Sequence, residues 1–165
     1  MRIVWDLDGV IRDLNGYIIH LYGGKYPKVW DYICGNNKNI YQTINENIDI
    51  LREAPPTAYY KVLKKHYTYP EFWTSQPKHW QPHTSYWLTK HIGAHKVRFL
   101  KCAEKEVELR KDNDIVLIED SPNFKSYDNI MLIDRPYNQE VKGAIRIFGT
   151  KHLNNLLNVI KGDTL

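Results

Sequence analysis

The sequence predicts an α/β protein built on a parallel sheet covered by helices on both faces, with a small helical insertion after the first strand. Two observations carry this. Short continuous apolar runs, such as Ile115-Val116-Leu117-Ile118 and Ile130-Met131-Leu132-Ile133, alternate with helix-patterned segments, as strands buried on both faces do. The region from Leu14 to Tyr67 reads as helix throughout and is too long for an ordinary crossover between neighbouring strands. A chain of 165 residues is one domain by length and buries roughly two-thirds of its unfolded surface, so no cross-links are needed.

Taken in order, residues 2–6 form a buried first strand. The insertion, residues 14–67, carries Ile40, Ile44, Ile48 and Leu51 on one helical face, and Tyr59, Val62, Leu63 and His66 on another. Gly23-Gly24, Gly35-Asn36-Asn37 and Pro55-Pro56 punctuate it into four helices, with Thr57 as an N-cap after the prolines. The core, residues 1–13 and 68–165, resumes with a strand at Glu71–Thr74 and continues with Val97–Leu100, 115–118 and 130–133. That makes five strands, and Ile145–Phe148 is a candidate sixth. Helices are expected at about 82–92, 103–111, 123–127 and 150–161.

In open α/β sheets the active site lies beyond the carboxyl ends of the strands. Those ends here carry Asp6 and Asp8, then Thr74 and Ser75, then Glu119 and Asp120, with Lys101 after the third strand and Lys105 near the start of the following helix. Asp6 and Asp8 are spaced by one residue, so in extended chain they project the same way. Gly9 then allows a sharp turn. Carboxylates at a buried strand end are costly unless a cation sits among them, which points to a hard metal, a phosphoryl group, or both. Phosphoryl transfer needs positioning and charge neutralisation above all. Asp6 suits the nucleophile and Asp8 the proton donor and acceptor. Glu119 and Asp120, with Asp6, suit Mg²⁺, while Thr74, Ser75 and a lysine suit the phosphate.

These residues resemble the haloacid dehalogenase-like phosphatase superfamily, in the branch of the 5′(3′)-deoxyribonucleotidases. Over residues 1–138, Asp6-Leu7-Asp8-Gly9-Val10 is similar to the first motif, Trp73-Thr74-Ser75-Gln76-Pro77 to the second, and Ile118-Glu119-Asp120-Ser121-Pro122 to the fourth. Lys105, in Cys102-Ala103-Glu104-Lys105, is similar to the third-motif lysine and is preferred to Lys101. The insertion between the first two motifs and Asp134-Arg135-Pro136-Tyr137-Asn138 after the fifth strand suggest the branch. The resemblance implies a Rossmann-like core with a helical cap, and an Mg²⁺-dependent phosphatase acting on a small phosphomonoester, a nucleoside monophosphate, through an aspartyl-phosphate at Asp6. It also implies that the backbone carbonyl of Asp8 ligates the metal. The chain departs from the family at Trp5, Leu14 and Ala103, which bears on substrate rather than on hydrolysis.

Other features have plainer readings. Pro82 and Gly93 interrupt the His79/His83 and His91/His95 pairs, so no zinc site is expected. The recurrence of Trp73, Trp80 and Trp87 every seven residues is coincidental. Lys61, Lys64 and Lys65 form a solvated helix face. Tyr17, Tyr22, Trp30, Tyr32 and Tyr41 are mostly cap core, with one or two free to stack on a base. Two cysteines make no disulfide framework, so a reduced, cytoplasmic setting is expected. No apolar run suits a membrane span, and a net charge of +4 without a basic stripe argues against stable nucleic-acid binding. A homodimer stays open. The alternatives are a phosphatase of polynucleotide ends or other small molecules, a phospho-aspartate signalling module that holds its phosphoryl group, and a catalytically dead scaffold.

Overall fold

The computed structural model describes residues 1–162 as an α/β fold around a single parallel sheet. Its strands are β1 (Arg2–Trp5), β2 (Glu71–Thr74), β3 (Lys96–Phe99), β4 (Ile115–Glu119), β5 (Ile130–Ile133) and β6 (Ile145–Ile147). They lie in the order β3-β2-β1-β4-β5-β6, every neighbouring pair parallel, a Rossmann-like arrangement. The candidate sixth strand is therefore an edge strand of the sheet. The central strand β1 pairs with both β2 and β4, and the order reverses direction there. That is where open α/β sheets leave a crevice.

The helices are α1 (Leu14–Tyr22), α2 (Ile40–Glu46), α3 (Ile50–Glu53), α4 (Tyr59–His66), α5 (Gln81–His91), α6 (Cys102–Lys111) and α7 (Thr150–Lys161). Local chemistry sets several of their ends. Asp13 accepts the Gly16 N–H at the start of α1, and Asn39 with Gln42 forms a reciprocal capping box on α2. Left-handed Gly162 closes α7. Thr57 lies just ahead of α4, whose N-cap is Ala58. The Thr57 hydroxyl accepts the Tyr59 N–H at 3.2 Å and donates to the Val10 carbonyl at 2.5 Å, tying the helix entrance to the loop after β1. The helix expected at 123–127 does not form. That segment is a loop in which the Tyr127 hydroxyl donates to the Ser121 carbonyl and the Lys125 N–H is taken by Glu106, so side chains replace a helical ladder.

Packing divides the insertion at a different place from the sequence pattern. Leu14, Ile18, Cys34, Ile44, Ile50, Leu51 and Ala54 form their own apolar cluster, closed by Trp80. Tyr59, Val62 and Leu63 of α4 instead join the sheet core with Ile3, Trp5 and Phe72. Within residues 14–67, α4 therefore packs on the sheet core, while the cluster of Leu14 to Ala54 packs separately. The tryptophans expected to recur by coincidence belong to three different clusters: Trp73 packs under the opposite face of the sheet, Trp80 in the insertion, and Trp87 in the core.

The insertion is fastened to α5 and to Trp80 just ahead of it. Trp87 Nε1 donates to the Ala54 carbonyl at 2.6 Å, Trp80 Nε1 to Asn45 Oδ1 at 2.8 Å, and the Arg52 guanidinium lies over the Tyr86 ring. Lys61, Lys64 and Lys65 are exposed, as their helix-face pattern implies. No helix among the described residues is long and apolar enough to cross a membrane, and neither Cys34 nor Cys102 is in a disulfide.

Candidate active site

β1 delivers Asp6 at its carboxyl end, and the chain then turns back on itself. The N–H groups of Ile11 and Arg12 both donate to the Leu7 carbonyl, and that of Gly9 to the Arg12 carbonyl. Gly9 sits at φ +80°, a conformation that costs a side-chain-bearing residue dearly. There is a second reason for glycine. A Cβ at position 9 would fall 1.8 Å from Asp120 Oδ2, so the carboxylate occupies the space a side chain would need.

β4 ends beside β1 and brings Glu119 and Asp120 to the same point. One carboxylate oxygen from each of Asp6, Glu119 and Asp120 lies within 4.8 Å of the others, and all three residues are buried. α6 points Lys105 into this group. Its Nζ donates to Asp6 Oδ1 at 2.5 Å and to Glu119 Oε2 at 2.8 Å, with only 3% of the residue exposed. Lys101 is exposed and outside this group, so the choice between the two lysines falls on Lys105 by position.

Three carboxylates against one ammonium leave a formal charge of −2 in a water-poor pocket. The proton affinities reflect this. Burial first, and then the Glu119 charge, hold Asp6 well above the usual carboxylate range against the opposing pull of Lys105. Burial and Glu119 likewise push Asp120 up to about 7, although Tyr137, Arg135 and Lys105 act in the other direction. Burial alone would lower Lys105, but Asp6 and Glu119 outweigh it and raise it, so the lysine stays charged.

The donor set fits a hard divalent cation. Asp120 Oδ1 is buried with no hydrogen-bond partner among the described residues, an expensive state for a carboxylate oxygen unless a cation meets it. Its other oxygen accepts the Tyr137 hydroxyl, and its backbone carbonyl accepts Asn138 Nδ2 at 2.9 Å, which fixes its direction. Glu119 is more fully engaged. Its Oε1 accepts the N–H groups of Asp120 and Ser121, and its Oε2 accepts Lys105. Asp120 and Asp6 are therefore the better placed to touch a metal, with Glu119 adding charge beside them. The side chain of Asp8 is not part of this trio.

Asp8 turns instead to Arg12 and Gln76. Arg12 Nε reaches Asp8 Oδ1 at 2.6 Å and Nη2 reaches Oδ2 at 3.0 Å, while Gln76 Nε2 donates to Oδ2 at 2.6 Å. Asp6, Asp8, Thr74, Ser75, Lys105 and Glu119 all line one cavity of about 220 Å³. Beside it opens a larger one of about 610 Å³ that shares Asp8, Trp30 and Ser75 and is also lined by Asp120. Trp30, Tyr32 and Tyr41 of the insertion reach this second cavity, as do Leu14, Trp80 and Tyr137, whereas Tyr17 and Tyr22 do not line it. His79 bonds Asn45 and lies edge-on against Trp80.

Several residues of the site escape a sequence reading. Arg12, Gln76 and Arg135 carry no signal of direction in sequence. Arg12 sits in an apolar run, and only the turn after Asp8 swings it inward. Tyr137 and Asn138 lie in a segment legible as a motif, but their hold on Asp120 depends on β5 ending beside β4. Compared with known proteins, the chain matches no family model and no curated protein.

Proposed function

We propose that this chain is an Mg²⁺-dependent phosphomonoester hydrolase of the haloacid dehalogenase-like type, acting on nucleoside monophosphates through an aspartyl-phosphate at Asp6. The observation that carries the reading is the buried trio Asp6, Glu119 and Asp120 with Lys105 as its paired cation and one carboxylate oxygen of Asp120 unpartnered. A group with this charge balance asks for a divalent cation and an anionic substrate together.

Asp6 and Asp120, with Glu119 beside them and the Asp8 carbonyl, would hold Mg²⁺, which when bound supplies neutralisation of the phosphoryl oxygens. Lys105 fixes the Asp6 carboxylate and adds positive charge where phosphate negative charge arrives. Thr74, at the end of β2, and Ser75 offer hydroxyls to phosphate oxygens from the wall of the same cavity. Asp6 attacks phosphorus, and the bond to the leaving oxygen breaks as Asp8 gives that oxygen a proton. Asp8 then takes a proton from the water that cleaves the aspartyl-phosphate, which restores both residues.

Support for a nucleoside comes from the adjoining cavity. It is large enough for a base and sugar at about 610 Å³, is walled by Trp30, Tyr32, Tyr41 and Trp80, and has no lysine or arginine in its lining. Such aromatic walls favour a flat group. A cytoplasmic setting agrees with two unbridged cysteines.

A substrate panel tests the proposal. With Mg²⁺, phosphate release is measured from deoxy- and ribonucleoside 5′- and 3′-monophosphates, sugar phosphates and a 5′-phosphorylated oligonucleotide, each repeated with chelator. The expected result is repeated turnover of a nucleoside monophosphate, lost with chelator and restored by Mg²⁺. A single stoichiometric phosphorylation without turnover, or rates indifferent to chelation, would overturn it.

A further inference from the structure

Arg12 is fully buried, with none of its surface exposed. An arginine so placed has its charge desolvated, so each of its hydrogen bonds carries weight. It makes four. Two form a fork on the Asp8 carboxylate, Nη1 donates to the Leu51 carbonyl of α3 at 2.6 Å, and Nη2 also reaches Thr84 Oγ1 on α5 at 3.1 Å. The Trp87 ring lies beneath the guanidinium, its centroid 5.6 Å away. The planar fork therefore has one orientation, held by the backbone of the insertion on one side and by α5 on another.

The two oxygens of Asp8 are not equivalent in this setting. A carboxylate oxygen accepts at two lone-pair positions. Oδ2 has both engaged, by Arg12 Nη2 and by Gln76 Nε2, and Gln76 is itself held by Thr84, whose hydroxyl donates to Gln76 Oε1 at 2.6 Å. Among the described residues Oδ1 accepts only Arg12 Nε, which leaves its second position open.

From this we infer that Arg12 is a positioning residue for proton transfer, holding Asp8 so that Oδ1 alone carries the proton to and from the substrate oxygen. The inference rests on the phosphatase reading given above. The phosphorus–oxygen bond to the leaving group breaks as the Asp6–phosphorus bond forms. The electron pair goes to the leaving oxygen, and that oxygen receives the proton from Asp8 Oδ1. In hydrolysis of the aspartyl-phosphate the attacking water returns a proton to the same oxygen.

A purely structural role, pinning the insertion to α5, predicts something different, and leaving-group chemistry separates the two. An alkyl oxygen must be protonated as it leaves, whereas p-nitrophenolate leaves without help. The parameter kcat/KM reports the steps up to departure of the first product, so it isolates this half of the reaction. Wild type, Arg12→Met, Arg12→Lys, Asp8→Asn and the Asp8→Asn/Arg12→Met double variant are assayed with Mg²⁺ on a nucleoside 5′-monophosphate and on p-nitrophenyl phosphate. Arg12→Met is expected to lower kcat/KM about 100-fold on the nucleotide and less than about 10-fold on the aryl ester, within the range of general acid catalysis. In the Asp8→Asn background the same change should cost no more than about threefold, because there is no longer a carboxyl proton to position.

Arg12→Lys keeps the charge without the fork and should still lower the nucleotide-to-aryl ratio about 10-fold. It answers the question if Arg12→Met does not fold, and the double variant leaves no carboxylate unpaired. Equal losses on both esters, or a full further loss in the Asp8→Asn background, would overturn the positioning role. A wild-type protein that hydrolyses neither ester would overturn the phosphatase reading and the inference with it.

Discussion

Replacing Lys105 by Met should destabilise the metal-free protein by about 3 kcal/mol. The lysine bridges Asp6 and Glu119 at 2.5 and 2.8 Å, and the three side chains are 4%, 8% and 2% exposed. Removing one partner of a buried ion pair costs about 3–5 kcal/mol, because the surviving charge stays desolvated. Here one cation serves two carboxylates, which argues for the upper end. Against that, burial and Glu119 already hold Asp6 above the usual carboxylate range. Asp6 can therefore take up a proton in place of the lysine, which limits the loss to the lower end near neutral pH. For a domain of this size about 3 kcal/mol corresponds to a fall in Tm of roughly 6–12 °C. Circular dichroism melts of wild type and Lys105→Met, side by side in chelator at pH 7, measure it. A difference below about 3 °C would refute the reasoning, since it would mean that the trio does not depend on the lysine for its charge balance.

Asp6→Asn should reduce phosphate release at least about 10⁴-fold while the far-ultraviolet dichroism stays that of wild type, because an amide is a poor nucleophile; substantial remaining turnover would end the covalent mechanism. Gly9→Ala places a methyl on Asp120 Oδ2 and forces a residue other than glycine to φ +80°. It should cost about 1–3 kcal/mol in urea unfolding and raise the Mg²⁺ concentration needed for half-maximal activity at least about 10-fold, and a variant unchanged in both would contradict the packing of the site. Burial first, and then Glu119 and Glu106, push the Cys102 thiol up to about 11. At pH 8 only about one thiol in a thousand is then ionised, so alkylation of Cys102 should run about 200-fold slower than that of an ordinary cysteine and rise about tenfold per pH unit up to pH 10. Labelling at the ordinary rate at pH 8 would exclude that environment.

The sequence was enough for the class of fold, because strands buried on both faces must be short, continuous and apolar whatever their order. It also determined that acidic residues and a lysine gather at one edge, since the strand ends are legible and parallel strands point their carboxyl ends the same way. β6 was legible only as a candidate: Ile145 is exposed and the strand lies at the edge, so its pattern is diluted. A helix at 123–127 was expected, but side-chain bonds to Ser121 and Glu106 claim its backbone, and those partners are invisible to a local pattern.

How the insertion packs was hidden for a related reason. The helical period of α4 looks the same whether its apolar face meets the insertion or the sheet, and only packing assigns Tyr59, Val62 and Leu63 to the sheet core. What the tertiary structure alone decided is the division of labour at the end of β1. Asp6 and Asp8 look alike in sequence, but a turn at a left-handed glycine sends them to different partners. One meets Lys105 and the carboxylates of β4; the other meets Arg12, Gln76 and, through them, the insertion. Of those partners, Arg12 lies 4 residues from Asp8 along the chain and Lys105 lies 99 from Asp6. A spacing of two residues can say that two carboxylates share an edge of a sheet, but long-range contacts decide which charge each one faces.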